Sequence, residues 1–272
     1  MTQMNKLEAL ADALKTWDHI LLLCHISPDG DTVGSALALA LALRALNKRV
    51  CVSVPGGVPK LYAFMPGTEL VADEPPFAPS AALAVDVSEK YRMGEAGESR
   101  FDACENTALI DHHPTNPGFG AIQYIEPSAA ATGIPMLRLI RLLGIEPDAA
   151  MATCLYIAIS TDCGNFNFSN TNAETLRAAA DCIEAGADAC ALSKRLYRTR
   201  TFARTKLLGL VLAQMERSQD GRNAYARVTL DMLAEAGAAH EDIEGIRESA
   251  VHAKALHIGC SDGVAHLKLL TH

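Results

Sequence analysis

Residues 19–46 read HILLLCHISPDGDTVGSALALALALRAL, and this stretch decides the fold. Its first part, residues 19–25, is a short apolar run followed by turn residues, which predicts a buried β-strand. Its last part, residues 32–46, is rich in Ala and Leu and predicts a helix. Three residues at the junction of these parts could bind a metal ion: His25, Asp29 and Asp31. The free N–H groups and positive dipole end at the start of that helix suit a bound phosphate.

The remainder of the first 187 residues continues this alternation of short apolar runs and helical patterns. Further strands are predicted at residues 49–54, 82–87 and 107–110, and helices at residues 5–16, 59–65, 129–143, 147–160 and 173–185. Alternation of this kind predicts an α/β fold with a mostly parallel sheet and helices on both faces. In such sheets, ligands bind beyond the carboxyl ends of the strands.

The pattern changes after about residue 187. Residues 188–217 are rich in Arg and Lys and predict a helical connection. Residues 218–272 predict a second, smaller α/β unit, with a strand at 224–230, a helix at 231–236, an acidic turn at 240–244 and strands at 253–260 and 264–270. The sequence therefore predicts one domain over residues 1–187 and another over residues 218–272.

Composition and charge limit the classes of function. A net charge of -8 opposes binding of long duplex nucleic acid by general attraction, although bound cations would reverse the local sign for a small phosphorylated ligand. The eight cysteines form no CxxC pair, which favours reduced, buried thiols in a cytoplasmic protein. The acidic N-terminal segment argues against a secretory signal, and the longest apolar stretch, residues 36–43, is too short to span a bilayer.

Three later segments place polar residues after apolar runs in the same way. Asp86 lies in LAVDVS, the triplet Asp111-His112-His113 in LIDHHPTN, and Asp162 in ISTDCGNF. Taken singly, each has an ordinary interpretation as a strand-end cap, a surface loop or an Asx-turn. Collected at one sheet edge, these carboxylates and imidazoles would need cations to neutralise them. Oxygen and imidazole ligands without thiolate favour Mn²⁺ or Mg²⁺ over structural zinc.

The order of these segments resembles the DHH phosphoesterase superfamily. The order is His-x3-Asp-Gly-Asp, then a strand-end Asp, then Asp-His-His, then a Thr-Asp-x-Gly-x-Phe segment. The surrounding words SPDGDTVGSALAL, IDHHPTN and ISTDCGNFNFSNT are most similar to the bacterial nanoRNase/pAp-phosphatase branch. The resemblance covers residues 18–185, and more loosely residues 195–272 as the start of a DHHA1 domain.

The resemblance implies two divalent cations, with Mn²⁺ preferred and Mg²⁺ as the alternative. The implied ligands of one cation are His25, Asp29 and Asp86, and those of the other are Asp31, Asp86, His112 and Asp162. Within the catalytic motif Asp111-His112-His113, the last imidazole would face the substrate phosphate as a donor or acid. Asp111 would orient the loop, together with Asn116.

Substrate contacts are less specific in the sequence. The segment KRLYRTRTFAR carries a basic cluster made of Arg195, Arg198, Arg200 and Arg204. Either one or two of these residues, Arg198 and Arg200 foremost, bind substrate phosphates, or the cluster is a solvated helix face. The two aromatic residues of ISTDCGNFNF, Phe166 and Phe168, either stack on a base or pack in the core.

The expected function is hydrolysis of short RNA or DNA oligonucleotides, linear dinucleotides or pAp, with a homodimer left open. Members of this branch normally continue past a Ser-Leu-Arg-Ser-like strand to a glycine-rich GGGH motif that contacts the nucleotide. Neither follows Leu270, so the DHHA1-like part is expected to be incomplete. Two alternatives stay open: a manganese-dependent inorganic pyrophosphatase, and a nucleotide-binding or sensing protein with little turnover.

Overall fold

A computed structural model describes residues 3–199, 201–217, 219, 223–239, 242–243, 256–261 and 264–270. The chain divides into two compact units, one ending at Tyr197 and the other beginning at Arg198. The domain limits predicted at residues 187 and 218 stay a prediction. No described helix is both long enough and apolar enough to cross a membrane.

The first unit is built on a five-stranded sheet in which every strand is parallel to its neighbours. The strands, in the order β2-β1-β3-β4-β5, are β1 (Ile20–Leu23), β2 (Val50–Ser53), β3 (Ala81–Val85), β4 (Asn106–Asp111) and β5 (Ile122–Ile125). Their apolar side chains alternate between the two faces, as the period of a strand requires. Leu22 and Leu83 belong to the large core on one face, whereas Leu21 and Ala82 belong to the smaller core on the other. The predicted parallel α/β sheet, covered on both faces, is confirmed.

Seven helices accompany this sheet among the residues described. They are α1 (Gln3–Thr16), α2 (Gly30–Ala45), α3 (Gly94–Ala103), α4 (Gly133–Leu142), α5 (Ala149–Asp162), α6 (Ala173–Glu184) and α7 (Ala189–Ser193). Short 3₁₀ segments lie at Thr68–Leu70 and Lys90–Met93, and a π-helical turn at Lys194–Arg198. Phe101 of α3 packs on the smaller core, while α1, α2, α4, α5 and α6 contribute to the larger one.

Close packing of α2 against α5 positions two acidic residues. A Cβ added at Gly34 would lie 2.5 Å from the carbonyl oxygen of Cys154, and one added at Gly30 would lie 2.5 Å from Thr161 Oγ1. The beginning of α2 therefore meets the end of α5, and glycine permits the approach because it has no side chain. Asp31 in the first turn of α2 and Asp162 at the end of α5 are brought to the same place.

The second unit has an antiparallel sheet with the strand order β6-β7-β9-β8. Its strands are β6 (Glu216–Arg217), β7 (Asn223–Val228), β8 (Leu256–Ser261) and β9 (Val264–Leu270), and its helices are α8 (Phe202–Ala213) and α9 (Leu230–Ala236). Leu207, Val211, Val228 and Met232 are buried together in its core.

Several predicted elements differ from the structure. Residues 59–65 form successive turns rather than the predicted helix, with main-chain bonds from Tyr62 N to the Pro59 oxygen and from Met65 N to the Tyr62 oxygen. The helix predicted at residues 129–143 begins only at Gly133, because residues 126–132 form turns that serve the site below. Neither α3 nor β5 was predicted. Residues 240, 241 and 244 of the predicted acidic turn, and 253–255 of the next strand, lie outside the described residues.

Candidate metal centre

The carboxyl edge of the parallel sheet gathers the polar residues singled out in the sequence. His25 lies two residues beyond β1, Asp86 directly follows β3, and Asp111 is the last residue of β4. Because β1, β3 and β4 are adjacent and parallel, their carboxyl ends lie side by side. His112 and His113 continue from β4 into the loop that follows.

Asp31 is fully buried and is held by the start of α4. Its Oδ2 accepts a hydrogen bond from Thr132 N (2.6 Å), and its Oδ1 accepts from Gly133 N (2.9 Å) and from Ser35 Oγ (3.1 Å). Main-chain N–H groups at a helix start have no partner within the helix, so they are natural donors to a carboxylate. The start of α4 thus fixes the orientation of Asp31.

Asp86 lies between two imidazoles and has an uncommon backbone conformation. Its φ is +59°, in the left-handed region that few residues other than glycine adopt. Its Oδ2 is 3.6 Å from His25 Nε2, and its Oδ1 is 3.6 Å from His112 Nε2. Thr132 Oγ1 donates to Oδ1 at 2.8 Å. The two oxygens of this buried carboxylate therefore face different imidazoles. The hydrogen bond from Thr132 fixes the position of Oδ1, the oxygen near His112.

His25, together with Asp29, lies on the Oδ2 side of Asp86, away from His112. His25 Nδ1 is 2.8 Å from the carbonyl oxygen of Ile26, so a proton on Nδ1 leaves Nε2 as the ligand atom. Asp29 is the N-cap of α2, and its Oδ1 accepts from the N–H groups of Asp31 and Thr32. These N–H groups, which the sequence suggested for a phosphate, are therefore already occupied.

His112 is held in the same way as His25. Its Nδ1 is 3.1 Å from the carbonyl oxygen of Ala129, and its Nε2 points into the cluster. Nε2 lies 3.2 Å from Asp162 Oδ2 and 3.9 Å from Asp31 Oδ2. Asp162, expected beyond the end of a helix, is instead the last residue of α5. The imidazole thus connects residues from four separate segments of the chain.

His113 is held by Asp111 and also lies beside Asp86, whose Oδ1 is 3.7 Å from its Nδ1. Its Nδ1 is 2.7 Å from Asp111 Oδ1, which leaves Nε2 as its outward nitrogen, and a third of the side chain is exposed. Asn116 donates to Asp111 Oδ2 (2.5 Å) and to the carbonyl oxygen of Val87 (2.9 Å), and it accepts from Gly118 N. Both amide hydrogens of Asn116 are thus used inside the protein, which fits loop fixation better than substrate contact.

The pKa values of the clustered side chains show that their negative charges destabilise one another when no cation is bound. Burial raises the pKa of Asp31 well above its usual value, and the charges of Asp86 and Asp162 raise it further. Burial also raises the pKa of Asp86, against the hydrogen bond from His25. Burial would lower the pKa of His25 and His112, but the surrounding carboxylates prevail and raise both to about 10. Without metal, protons bound to these side chains offset the negative charge of the carboxylates. Divalent cations could offset the same charge.

The pKa values of Asp111 and His113 are set mainly by their contact with each other. Burial would raise the pKa of Asp111, but hydrogen bonds from His113 and Asn116 prevail and lower it. The hydrogen bond to Asp111, acting against burial, raises the pKa of His113. Asp111 and His113 therefore favour each other's charged forms.

Three overlapping groups could each hold a cation. The groups are His25 with Asp29 and Asp86, Asp31 with His112 and Asp162, and Asp86 with His112 and His113; within each group the ligand atoms lie within 4.8 Å of one another. The first two match the two ligand sets implied by the resemblance, apart from the sharing of Asp86. All donors are carboxylate oxygens or imidazole nitrogens, so the residues fit Mn²⁺ or Mg²⁺.

Thr132 is the residue of this site that sequence reasoning missed. The helix predicted at residues 129–143 includes AAATGIP, so this prediction places Thr132 inside the helix and not before its first turn. A Thr-Gly pair immediately before Ile-Pro is a signal of a helix start, because Thr favours caps and Pro tolerates the first turn. This signal could have placed Thr132 at a helix N-terminus.

The predicted substrate contacts are only partly placed. Arg198 is exposed and begins the second unit, and Arg200 lies outside the described residues. Arg195 stacks on Phe64, with its guanidinium carbon 3.7 Å from the ring centroid. Phe166 packs against Tyr156, whereas Phe168 is 59% exposed. Core packing thus accounts for Phe166 but not for Phe168.

Comparison with known proteins agrees with the fold and with the motif order. A family model described as the DHH family, N-terminal domain, matches residues 19–159. The chain belongs to the DHH family. It is 36% identical over 235 residues, 85% of its length, to the bifunctional oligoribonuclease and PAP phosphatase NrnA of Thermus thermophilus, and 25% identical over 216 residues to the Bacillus subtilis protein of the same name. The resemblance to the nanoRNase/pAp-phosphatase branch is therefore confirmed.

Two solved structures share the fold. An exopolyphosphatase-related protein from Bacteroides fragilis superposes with a TM-score of 0.86 at 24% identity, over 94% of this chain and 79% of that one. A protein from Methanococcus jannaschii assigned to the family II inorganic pyrophosphatases gives a TM-score of 0.51 at 19% identity, over 75% of this chain and 68% of that one. The chain spans 69% of the length of the Thermus relative, 67% of the Bacillus relative and 56% of a Mycoplasma genitalium NrnA.

Proposed function

We propose that this chain is a metal-dependent phosphoesterase that hydrolyses short oligoribonucleotides, linear dinucleotides or pAp at a dinuclear manganese centre. One observation carries the proposal: the two oxygens of Asp86 each lie 3.6 Å from the Nε2 atom of a different imidazole. A carboxylate placed between two ligand groups is suited to bridge two cations. One candidate ligand group, His25 with Asp29, lies on one side of Asp86, and the other, Asp31 with His112 and Asp162, lies on the other side.

The chain's own residues would share the work of binding and orientation. One cation would be held by His25, Asp29 and Asp86, and the other by Asp31, Asp86, His112 and Asp162. Cations held there would supply the charge that activates a water for attack on phosphorus and that stabilises the phosphoryl oxygens. The hydrogen bonds from Thr132 and Gly133 keep the buried carboxylates in fixed directions, which reduces reorganisation during the reaction.

His113 is proposed to donate to the substrate. Asp111 engages its Nδ1, so Nε2 is the nitrogen left for the substrate, and a third of the side chain is exposed. The hydrogen bond to Asp111 raises the pKa of this imidazole and so favours its protonated form, which a general acid or a hydrogen-bond donor requires. Asn116 supports the same arrangement through Asp111.

The substrate class rests on the relatives. The Thermus and Bacillus proteins are named for oligoribonuclease and pAp phosphatase activities. The pyrophosphatase alternative has support from fold alone, because the structural match is only 19% identical. We therefore propose nucleotide substrates in preference to inorganic pyrophosphate.

The decisive experiment compares three substrates under one set of conditions. Purified protein is depleted with EDTA, reloaded with Mn²⁺ and assayed on pAp, a short RNA and inorganic pyrophosphate, while bound metal is measured by mass spectrometry. Asp86→Asn is the test variant. Asp102→Asn is the matched control, because Asp102 lies on the surface in an ion pair with Lys90.

We expect Mn²⁺-dependent hydrolysis of pAp or RNA, two cations per chain, and loss of both in Asp86→Asn only. Preferred hydrolysis of pyrophosphate would favour the pyrophosphatase alternative. Tight nucleotide binding without turnover would favour the sensing alternative. Full activity after EDTA treatment would exclude the metal centre altogether.

A further inference from the structure

Arg92 differs from the other partly buried arginines of the first unit. Arg100 and Arg138 each lie within 2.6 Å of a carboxylate oxygen. Among the described residues, Arg92 has no carboxylate within 4 Å; its guanidinium is only 3.5 Å from Ser88 Oγ. An arginine that is partly buried and not neutralised by the protein is available to an anion from outside.

The position of Arg92 associates it with the candidate metal centre. Its carbonyl oxygen accepts a hydrogen bond from Ile26 N (2.6 Å), the residue after His25. Its guanidinium reaches Ser88, two residues after Asp86. His25 and Asp86 belong to the same candidate cation group. Arg92 therefore lies beside the two loops that carry this group.

The same rim of the site is open to solvent. Ile26 is 39% exposed and Tyr91 is 60% exposed, although His25, next to Ile26, and Met93, two residues after Tyr91, are buried. The segment Lys90–Met93 therefore has an exposed surface next to the loop that carries His25. Lys90 of that segment is paired with Asp102 of α3, so its charge is already compensated.

The charge balance of the metal centre favours an additional positive side chain to bind the substrate phosphate. Two divalent cations would neutralise the four carboxylates of Asp29, Asp31, Asp86 and Asp162 and leave no excess positive charge for a phosphate. Two N–H groups in the first turn of α2, those of Asp31 and Thr32, do not provide it, because they donate to Asp29. An unpaired guanidinium at the rim can supply both charge and two parallel hydrogen bonds.

We infer that Arg92 binds a non-bridging oxygen pair of the substrate phosphate and so positions the phosphate over the metal centre. This inference rests on the proposed function, since it assigns a phosphate ligand to that same site. Arg92 acts on binding and orientation, not on proton transfer. Its removal is therefore expected to weaken phosphate binding more than it lowers the amount of bound metal.

The test measures phosphate binding directly as well as turnover. Mn²⁺-loaded wild type, Arg92→Gln, Arg92→Lys and Lys90→Gln are titrated with inorganic phosphate by calorimetry, and KM and kcat are measured with pAp. Metal content and Tm are recorded for each variant. Lys90→Gln is the matched control, because it removes one positive charge from the same segment at a side chain already paired with Asp102.

We expect Arg92→Gln to raise both the phosphate Kd and KM by about 10- to 100-fold, the loss associated with hydrogen bonds to charged groups. Arg92→Lys should recover part of this loss, and Lys90→Gln should resemble wild type. Metal content and Tm should be unchanged throughout. An equal phosphate Kd in wild type and Arg92→Gln would overturn the inference, as would wild-type protein that binds no phosphate. Arg92-dependent phosphate binding without turnover would uphold the inference and overturn the proposed function.

Discussion

Replacing Thr132 by Val tests how the candidate metal centre is held together. Val has the shape of Thr, so Thr132→Val removes the hydroxyl that donates to Asp86 Oδ1 at 2.8 Å while the space stays filled. The main-chain N–H of residue 132 still donates to Asp31. Because Thr132 is fully buried, solvent does not supply a replacement donor. The substitution therefore isolates one hydrogen bond to the carboxylate proposed to bridge two cations.

The magnitude follows from two independent ranges. A hydrogen bond to a charged group contributes about 1.5–3 kcal/mol. Loss of an outer partner of a metal-binding side chain costs about 10- to 100-fold in metal affinity, which corresponds to roughly 1.4–2.8 kcal/mol. The ranges agree, so we expect Mn²⁺ affinity to fall about 10- to 100-fold. Chelator competition, followed by the Mn²⁺ signal in electron paramagnetic resonance, measures this change.

Two control variants make the result interpretable. Thr132→Ser keeps the hydroxyl and should retain affinity. Thr175→Val is the same substitution at another fully buried Thr, whose hydroxyl belongs to the capping box of α6 with Asn172. It should cost about 1 kcal/mol of stability and leave Mn²⁺ affinity unchanged. If folded Thr132→Val binds Mn²⁺ as tightly as wild type, the Thr132 hydrogen bond does not position a ligand and this reasoning fails.

Three further predictions concern metal and protons. Asp86→Ala should lose bound metal, whereas His113→Ala should keep it and lose rate by roughly 10²–10⁴-fold; metal analysis with kinetics separates the two, and full occupancy in Asp86→Ala would contradict a bridging role. EDTA should lower Tm and Mn²⁺ restore it, because only the folded chain assembles the site; identical midpoints would argue against the centre. In EDTA, the pKa values of His25 and His112 lie near 10, above the unfolded value of about 6.5, so their contribution to stability is complete below pH 6.5 and is lost as the pH rises to 10. The Tm of metal-free protein should therefore fall over that interval, and a flat or rising Tm would refute the assignment of these imidazoles.

Much of the site could be predicted because its residues follow strands directly. The apolar runs end at His25, Asp86 and Asp111, and in a parallel sheet such ends share one edge. Local sequence is sufficient for this inference, since strand direction and strand ends are local properties. The same logic explains why the parallel sheet was predicted correctly while α3 was missed. Its sequence, GEAGESRFDA, contains two glycines and buries only Gly97 and Phe101.

The supporting contacts could not be predicted, because they join distant parts of the chain. Thr132 is 46 residues from Asp86 and 101 residues from Asp31, and nothing in AAATGIP announces either partner. Similarly, the meeting of Asp31 with Asp162 depends on the close approach of α2 to α5 at Gly30 and Gly34. In the sequence, a glycine within a helix-forming stretch indicates only a weak helix position. The packed structure shows that these glycines allow α2 to approach α5 closely.

The position proposed for phosphate shows the same difference between local and tertiary information. From sequence, the start of the helix after Asp31 offered free N–H groups to an anion. The structure directs those groups to Asp29, which thereby becomes both the N-cap and a candidate ligand. If these N–H groups donated to a phosphate instead, the Asp29 carboxylate would lose the hydrogen bonds that orient it. Binding of the phosphate then requires a cation that the fold has left unpaired near the same group, and among the described residues beside the loops of His25 and Asp86, Arg92 meets that requirement.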